Sequence, residues 1–132
     1  ASGAEAGIRQ TLSPSGLTIF WGLNNRANDR VSKTLTAADD LWFHAHRLPG
    51  CHLVLKSAGR REIPEADIAY AASLAAGYSR GRHDLKVEVM LTPGKKVRKP
   101  KGARPGLVLA EPERTLMVAP RRLEEESGKS GG

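Results

Sequence analysis

Apolar and polar positions change places along this chain in short segments. Ile8 to Leu12 and Leu17 to Trp21 flank Ser13-Pro14-Ser15-Gly16. Ser first, Pro second and Gly fourth suit a type I turn, so these runs are predicted as a hairpin. From Asn25 to Leu35, Ala27, Val31 and Leu35 recur every four positions, with Arg26, Arg30 and Lys33 at helical spacing beside them. That is a helix with a narrow core stripe bordered by a basic one. Asp40 to His46 and Cys51 to Lys56 read as two strands joined by Arg47-Leu48-Pro49-Gly50. Alternation sends Leu41, Phe43 and Ala45 to one face and Trp42, His44 and His46 to the other. Pairing His46 with Cys51 puts Cys51, Leu53 and Leu55 on the Trp42 face and His52 and Val54 on the Phe43 face. Both faces are then partly apolar, as in a central hairpin.

Pro64 to Ser79 is an alanine-rich helix. Pro64 opens it, Glu65 and Asp67 sit at its positive end, and Arg80 and Arg82 at its negative end. Ala69, Ala72 and Ala76 allow close approach to a sheet, and Gly81 is expected to close the helix in a left-handed turn. Lys86 to Leu91 alternates as a strand with Val87, Val89 and Leu91 on one face. A last hairpin is expected from Leu107 to Leu109 and Thr115 to Ala119, around Glu111-Pro112-Glu113. Residues 1–7 read as a flexible lead-in, 8–120 as one domain, and 121–132 as a tail too polar to pack. The fold class is α+β, a mostly antiparallel sheet of hairpins with two helices.

Composition narrows the function. In 132 residues, 39% are hydrophobic and 27% charged, and 21 Lys and Arg against 14 Asp and Glu give a net charge of +7. Such a balance attracts polyanions or anionic membranes. No apolar run approaches the ~20 residues that span a bilayer and no signal segment is visible, which favours nucleic acid over lipid. One cysteine, Cys51, leaves no intrachain disulfide and fits a reducing cytoplasm. The first residue, Ala1, suggests a processed product or a piece of something longer.

The densest signal is Lys95, Lys96, Arg98, Lys99, Lys101 and Arg104, six basic residues within ten positions and interleaved with Pro and Gly. Those breakers forbid regular structure, so the segment is expected to present cations on an open backbone, as phosphate binding requires. Arg26, Arg30, Arg80 and Arg82 are expected as its neighbours. Trp42, His44 and His46 form a set that could stack on unpaired bases, although a strand Trp in a small domain is more often core. Two alternatives use other chemistry. One is a metal-dependent enzyme on His44, His46 and Cys51, which lacks a fourth ligand. The other is a basic module that meets an acidic protein. No catalytic residue, bound metal or cofactor is expected.

The ordered series Ser15-Gly16, Gly22 with Asn24-Asn25-Arg26-Ala27-Asn28-Asp29, Asp40-Leu41-Trp42-Phe43-His44-Ala45, Pro49-Gly50-Cys51-His52 and Ile63-Pro64 resembles the NFACT-R domain. So do Ala71 to Ser79, Val97 to Gly106 and Thr115 to Pro120. The resemblance implies an RNA-binding domain of ribosome-quality-control factors once labelled fibronectin-binding-protein-like. In these the domain helps hold tRNA and ribosomal RNA on an obstructed large subunit during template-free C-terminal tailing. It differs at Leu23, where the family usually has Arg or Lys, and at Cys51, which replaces the usual Ser. The family's N-terminal domain, helix-hairpin-helix units and coiled coil are not in this sequence, so only RNA contact carries over.

Overall fold

The structure, a computed structural model, describes residues 6–123. Strands β1 (Ile8–Leu12) and β2 (Thr18–Gly22) form the expected first hairpin. Its turn is closed by the Gly16 N–H donating to the Ser13 carbonyl at 2.8 Å, with Gly16 at φ +89°. Helix α1 (Asn25–Arg30) is capped by Asn24, whose side chain accepts from the Ala27 N–H, and widens into a π turn over Val31–Leu35. Strands β3 (Leu41–Ala45) and β4 (Leu53–Leu55) follow, then helix α2 (Glu65–Gly77) and strand β5 (Val87–Pro93). Two short strands, β6 (Val97–Arg98) and β7 (Leu109–Ala110), pair with each other, and β8 (Arg114–Val118) completes the chain's strands among the described residues.

The main sheet runs β1-β2-β4-β3-β5-β8, antiparallel throughout, so the predicted α+β class holds and β3–β4 is indeed central. One face buries Ile19, Trp21, Phe43, Leu53 and Val89 against Ala71, Ala72, Leu74, Ala75 and Ala76 of α2. Small alanines let helix and sheet approach closely, although Ala69 is exposed rather than part of that contact. Asp67 on α2 accepts hydrogen bonds from the Ser13 and Ser15 hydroxyls at 2.7 and 3.0 Å, which pins the first turn onto the helix. On the other face lie Trp42, His52 and Val54, covered by α1 and its π turn.

Further expectations need correction. The β3–β4 register is Trp42 with Val54 and Phe43 with Leu53, one residue from the His46–Cys51 pairing. Because strand faces have period two, this slip moves Cys51, Leu53 and Leu55 to the Phe43 side and His52 to the Trp42 side. The chain reaches Cys51 by way of α2: Gly50 bridges Ser79, and the Cys51 N–H donates to the Tyr78 carbonyl. The predicted last hairpin does not form. Strand β8 pairs with β5 instead, where Leu116 and Val118 extend the core face begun by Val87 and Val89, while Leu109 pairs with Arg98.

Gly81 is not left-handed. It is buried where a Cβ would crowd Val87 and Leu48. The chain from Arg121 to Leu123 packs after all. The Arg121 N–H donates to Ser73 O at 2.9 Å, Arg122 donates to Gly77 O at 3.0 Å, and Leu123 N–H donates to the Tyr78 hydroxyl at 3.1 Å. Gly77 makes room for this return, since a Cβ there would overlap the Arg121 carbonyl. The rest of the expected tail lies outside the described residues, as do residues 1–5 of the lead-in.

Candidate nucleic-acid interface

The basic segment is more ordered than its glycines and prolines suggest. It leaves β5 through a 3-10 turn at Gly94–Lys96, where the Gly94 and Lys95 N–H groups donate to Asp40 and Ala38 carbonyls at 2.8 and 3.1 Å. After β6, a turn at Gly102 (φ +79°) and another at Gly106 (φ +90°) return it to β7. Between them the segment docks on α1. One carboxylate oxygen of Asp29 accepts from the Gly106 N–H at 2.9 Å and from the Lys99 ammonium at 3.0 Å. Lys99 also donates to the Arg104 carbonyl. Burial opposes ionisation of Asp29, but these two hydrogen bonds outweigh it and hold the carboxyl below its ordinary range.

Lys99 is therefore a latch, its side chain only 14% exposed, and not a cation offered to a ligand. The exposed cations are Lys95, Lys96, Arg98, Lys101 and Arg104. Lys96 shares its charge with Glu113 in a solvent-facing pair at 3.0 Å, which is worth little. Docking brings the loop beside Arg26, Arg30 and Lys33, which with Asp29, Thr34 and Pro105 line a groove of about 320 Å³. Two basic segments some seventy positions apart thus share one surface.

Beyond α1 the positive charge continues. Arg80, Arg82 and Arg122 surround a cleft of about 440 Å³ together with Asn24 and Asn25, and no carboxylate is among its lining residues. Arg122 is held in place by its bond to Gly77 O and by lying 4.3 Å over the Tyr78 ring. Asn25 also touches Gly106, so cleft and loop adjoin. Arg122 escaped the sequence reading because it sits at the start of a polar tail, and Asp29 because a lone acid in a basic stripe carries no distinctive signal.

Trp42 is 3% exposed, so no base can lie directly on it. Its Nε1–H donates to the Ser32 hydroxyl at 2.8 Å. The same hydroxyl is hydrogen-bonded to His52 Nδ1 at 2.7 Å, and the His52 backbone N–H donates to the Asn28 side chain at 3.0 Å. The chain of bonds ties α1 and the π turn to the central strands. His44 stacks parallel to Trp42 at 5.8 Å and is half-buried, with Nδ1–H donating to the Ala45 carbonyl at 2.6 Å. Cys51 lies on the other side of the sheet, within the core, so His44, His46 and Cys51 do not converge. Burial pushes its thiol up to about 12, which removes it as a nucleophile. Among the described residues no group of three or more His, Cys, Asp or Glu could hold a metal ion.

Residues 8–110 match the family described as the NFACT protein RNA binding domain. The chain belongs to this family. The NFACT domain is 40% identical over 108 residues to the Rqc2 homolog RqcH of Bacillus subtilis (strain 168), covering 82% of this chain and 18% of that protein. The RqcH of Streptococcus pneumoniae serotype 2 is 37% identical over 114 residues, covering 86% and 20%. A solved structure, the C-terminal of the fibronectin/fibrinogen-binding protein from Streptococcus suis, superposes with a TM-score of 0.81 at 33% identity, covering 89% of this chain and 47% of that one. The chain thus spans about a fifth of the length of the curated relatives it matches.

Within the NFACT domain, Leu23 is exposed at the rim of the arginine cleft, so charge there comes from Arg80, Arg82 and Arg122. Cys51 fills an apolar position beneath it. The ring network also sets an acid limit. Burial first, and then nearby His44, lowers the His52 pKa from 6.5 to about 4. The folded state then binds this proton less readily than the unfolded chain. The stability of the neutral ring is complete above about 6.5 and is lost as pH falls towards 4, by about 3 kcal/mol in all. Asp29 and Asp40, held below their ordinary value of 3.8, lose their contribution only in stronger acid. Urea unfolding at about pH 7 and about pH 4.5 is expected to show the loss. His52→Asn, whose amide can still hydrogen-bond Ser32 but does not titrate, is expected to flatten it, and an equally steep variant would acquit His52.

Proposed function

We propose that this NFACT domain is a non-catalytic RNA-binding module that acts in ribosome quality control, gripping structured RNA by its phosphate backbone. The observation that carries the reading is the Asp29 latch, because it joins the loop cations to the α1 stripe. Membership of an RNA-binding family supports the class of ligand. Lys95, Lys96, Arg98, Lys101 and Arg104 form the main cradle, Arg26, Arg30 and Lys33 its floor, and Arg80, Arg82 and Arg122 a second patch. Exposed guanidinium and ammonium groups on a latched backbone suit a polyanion of fixed shape, and they position it without reading its sequence. The partners that fit are tRNA and ribosomal RNA on the large ribosomal subunit, in the cytoplasm. Among the described residues no helix is long and apolar enough to cross a membrane.

Sedimentation with large subunits, with and without nuclease, tests the reading directly. Loss of co-sedimentation after nuclease supports RNA contact, and binding that survives points to an acidic protein partner instead. The latch gives a second test with an unusual sign. Asp29→Ala removes a negative charge from a surface that attracts polyanions, so electrostatics alone predicts tighter RNA binding. Because the loop is released, weaker binding is expected, together with faster amide exchange at Gly106. Tighter binding would mean that the latch does not matter for the interface.

A further inference from the structure

We propose that the cleft between the β3 ring stack and the returning Gly106–Pro112 segment receives one unpaired nucleobase of the RNA whose backbone lies on the cationic surface. This rests on the RNA-binding reading and adds a base-contacting site to it. The cleft is about 340 Å³, at the small end of ligand sites and of a size for one planar ring system. Its floor is His44, backed by Trp42 in a parallel stack with rings 5° apart, while His52 meets both edge-on. Half-buried Leu107 and Val108, which leave the basic loop directly, also line the cleft.

A cleft lined by aromatic rings and apolar side chains is suited to hold an unstacked base. Burial, and then the charge of nearby His46, lowers the His44 pKa against the raising effect of the Ala45 hydrogen bond, which keeps the imidazole a neutral stacking face near neutrality. Arg47 stands exposed among the lining residues, and its backbone is in the left-handed region, at φ +63°, which a long side chain rarely adopts. It has no ion-pair partner among the described residues, so its guanidinium is available to the phosphate of the inserted nucleotide. No carboxylate lines the cleft. Gly106, which bonds Asp29, also lines it, so RNA backbone on the loop and a base in the cleft are neighbours.

The probes are an RNA stem-loop carrying 2-aminopurine in its loop and a continuous duplex of the same length, each titrated at several salt concentrations. Stacking is not ionic, so its loss lowers affinity without changing the salt slope. His44→Ala, and Val108→Trp, which fills the cleft from the loop side without touching the core, are each expected to weaken stem-loop binding roughly tenfold, the order of one stacked base. Duplex binding and its slope stay unchanged, the stem-loop slope falls by no more than the one Arg47 contact, about 0.7 to 0.9, and the 2-aminopurine quenching seen with the parent chain is lost. Equal losses for both RNAs, or a parent chain that quenches nothing, would overturn the base site while leaving backbone binding in place. A parent chain that binds neither RNA overturns both.

Discussion

Replacing Lys95, Lys96, Arg98 and Lys101 by alanine is expected to weaken structured-RNA binding by on the order of a hundredfold at low salt, with the fold intact. All four side chains are exposed and none is part of the core. An exposed ionic contact contributes about 0.7 kcal/mol, and four of them give that factor. Each lost phosphate contact also flattens the dependence of log affinity on log salt by about 0.7 to 0.9, so the slope is expected to fall by about 3. Lys99 is deliberately spared. Its ammonium is already bound to Asp29, and removing it would disorder the loop and confuse latch with contact. Titration of tRNA at several salt concentrations, alongside thermal unfolding of both proteins, separates the two effects. An unchanged slope would move the RNA surface to Arg26, Arg30 and Lys33 or to the arginine cleft.

The largest effect on stability is expected at Phe43. Its side chain is fully buried at the centre of the sheet, opposite Leu53 and Leu91 and facing the alanines of α2. Truncation to alanine removes that burial and leaves a cavity in a layer whose neighbours are already short. The expected cost is about 3 to 5 kcal/mol. Arg98→Ala, exposed on the short strand β6 outside the core, is expected to leave unfolding within about 0.5 kcal/mol of the parent. A urea midpoint that Phe43→Ala leaves unmoved would show that the sheet's buried face has been misassigned. The two predictions divide the molecule cleanly, since one changes binding without stability and the other stability before binding.

Much of this division could be read from residue order. Local patterning was enough for the first hairpin, both helices, the central strand pair and β5, because each is specified by neighbours a few positions away. The clustering of six cations needed no structure either. Register, pairing and latches were different. A one-residue slip between β3 and β4 reversed the faces of Cys51 and His52, and it depends on the bridge from Gly50 to Ser79, a contact across nearly thirty positions. Strand β8 chose β5 over its sequence neighbour because the core face needed extending. Arg122 became part of a cleft only where Gly77 let the chain return along α2.

Periodicity and composition were enough for the α+β class, most of the elements and the sign and location of the charge. Long-range contacts alone settle which cations are exposed and which fasten the loop, and which aromatic ring is buried and which faces a cleft. The reason is physical: Asp29 meets Lys99 and Gly106, and Trp42 meets Ser32 and His52, through contacts between segments that are distant along the chain. Local pattern carries no record of such meetings.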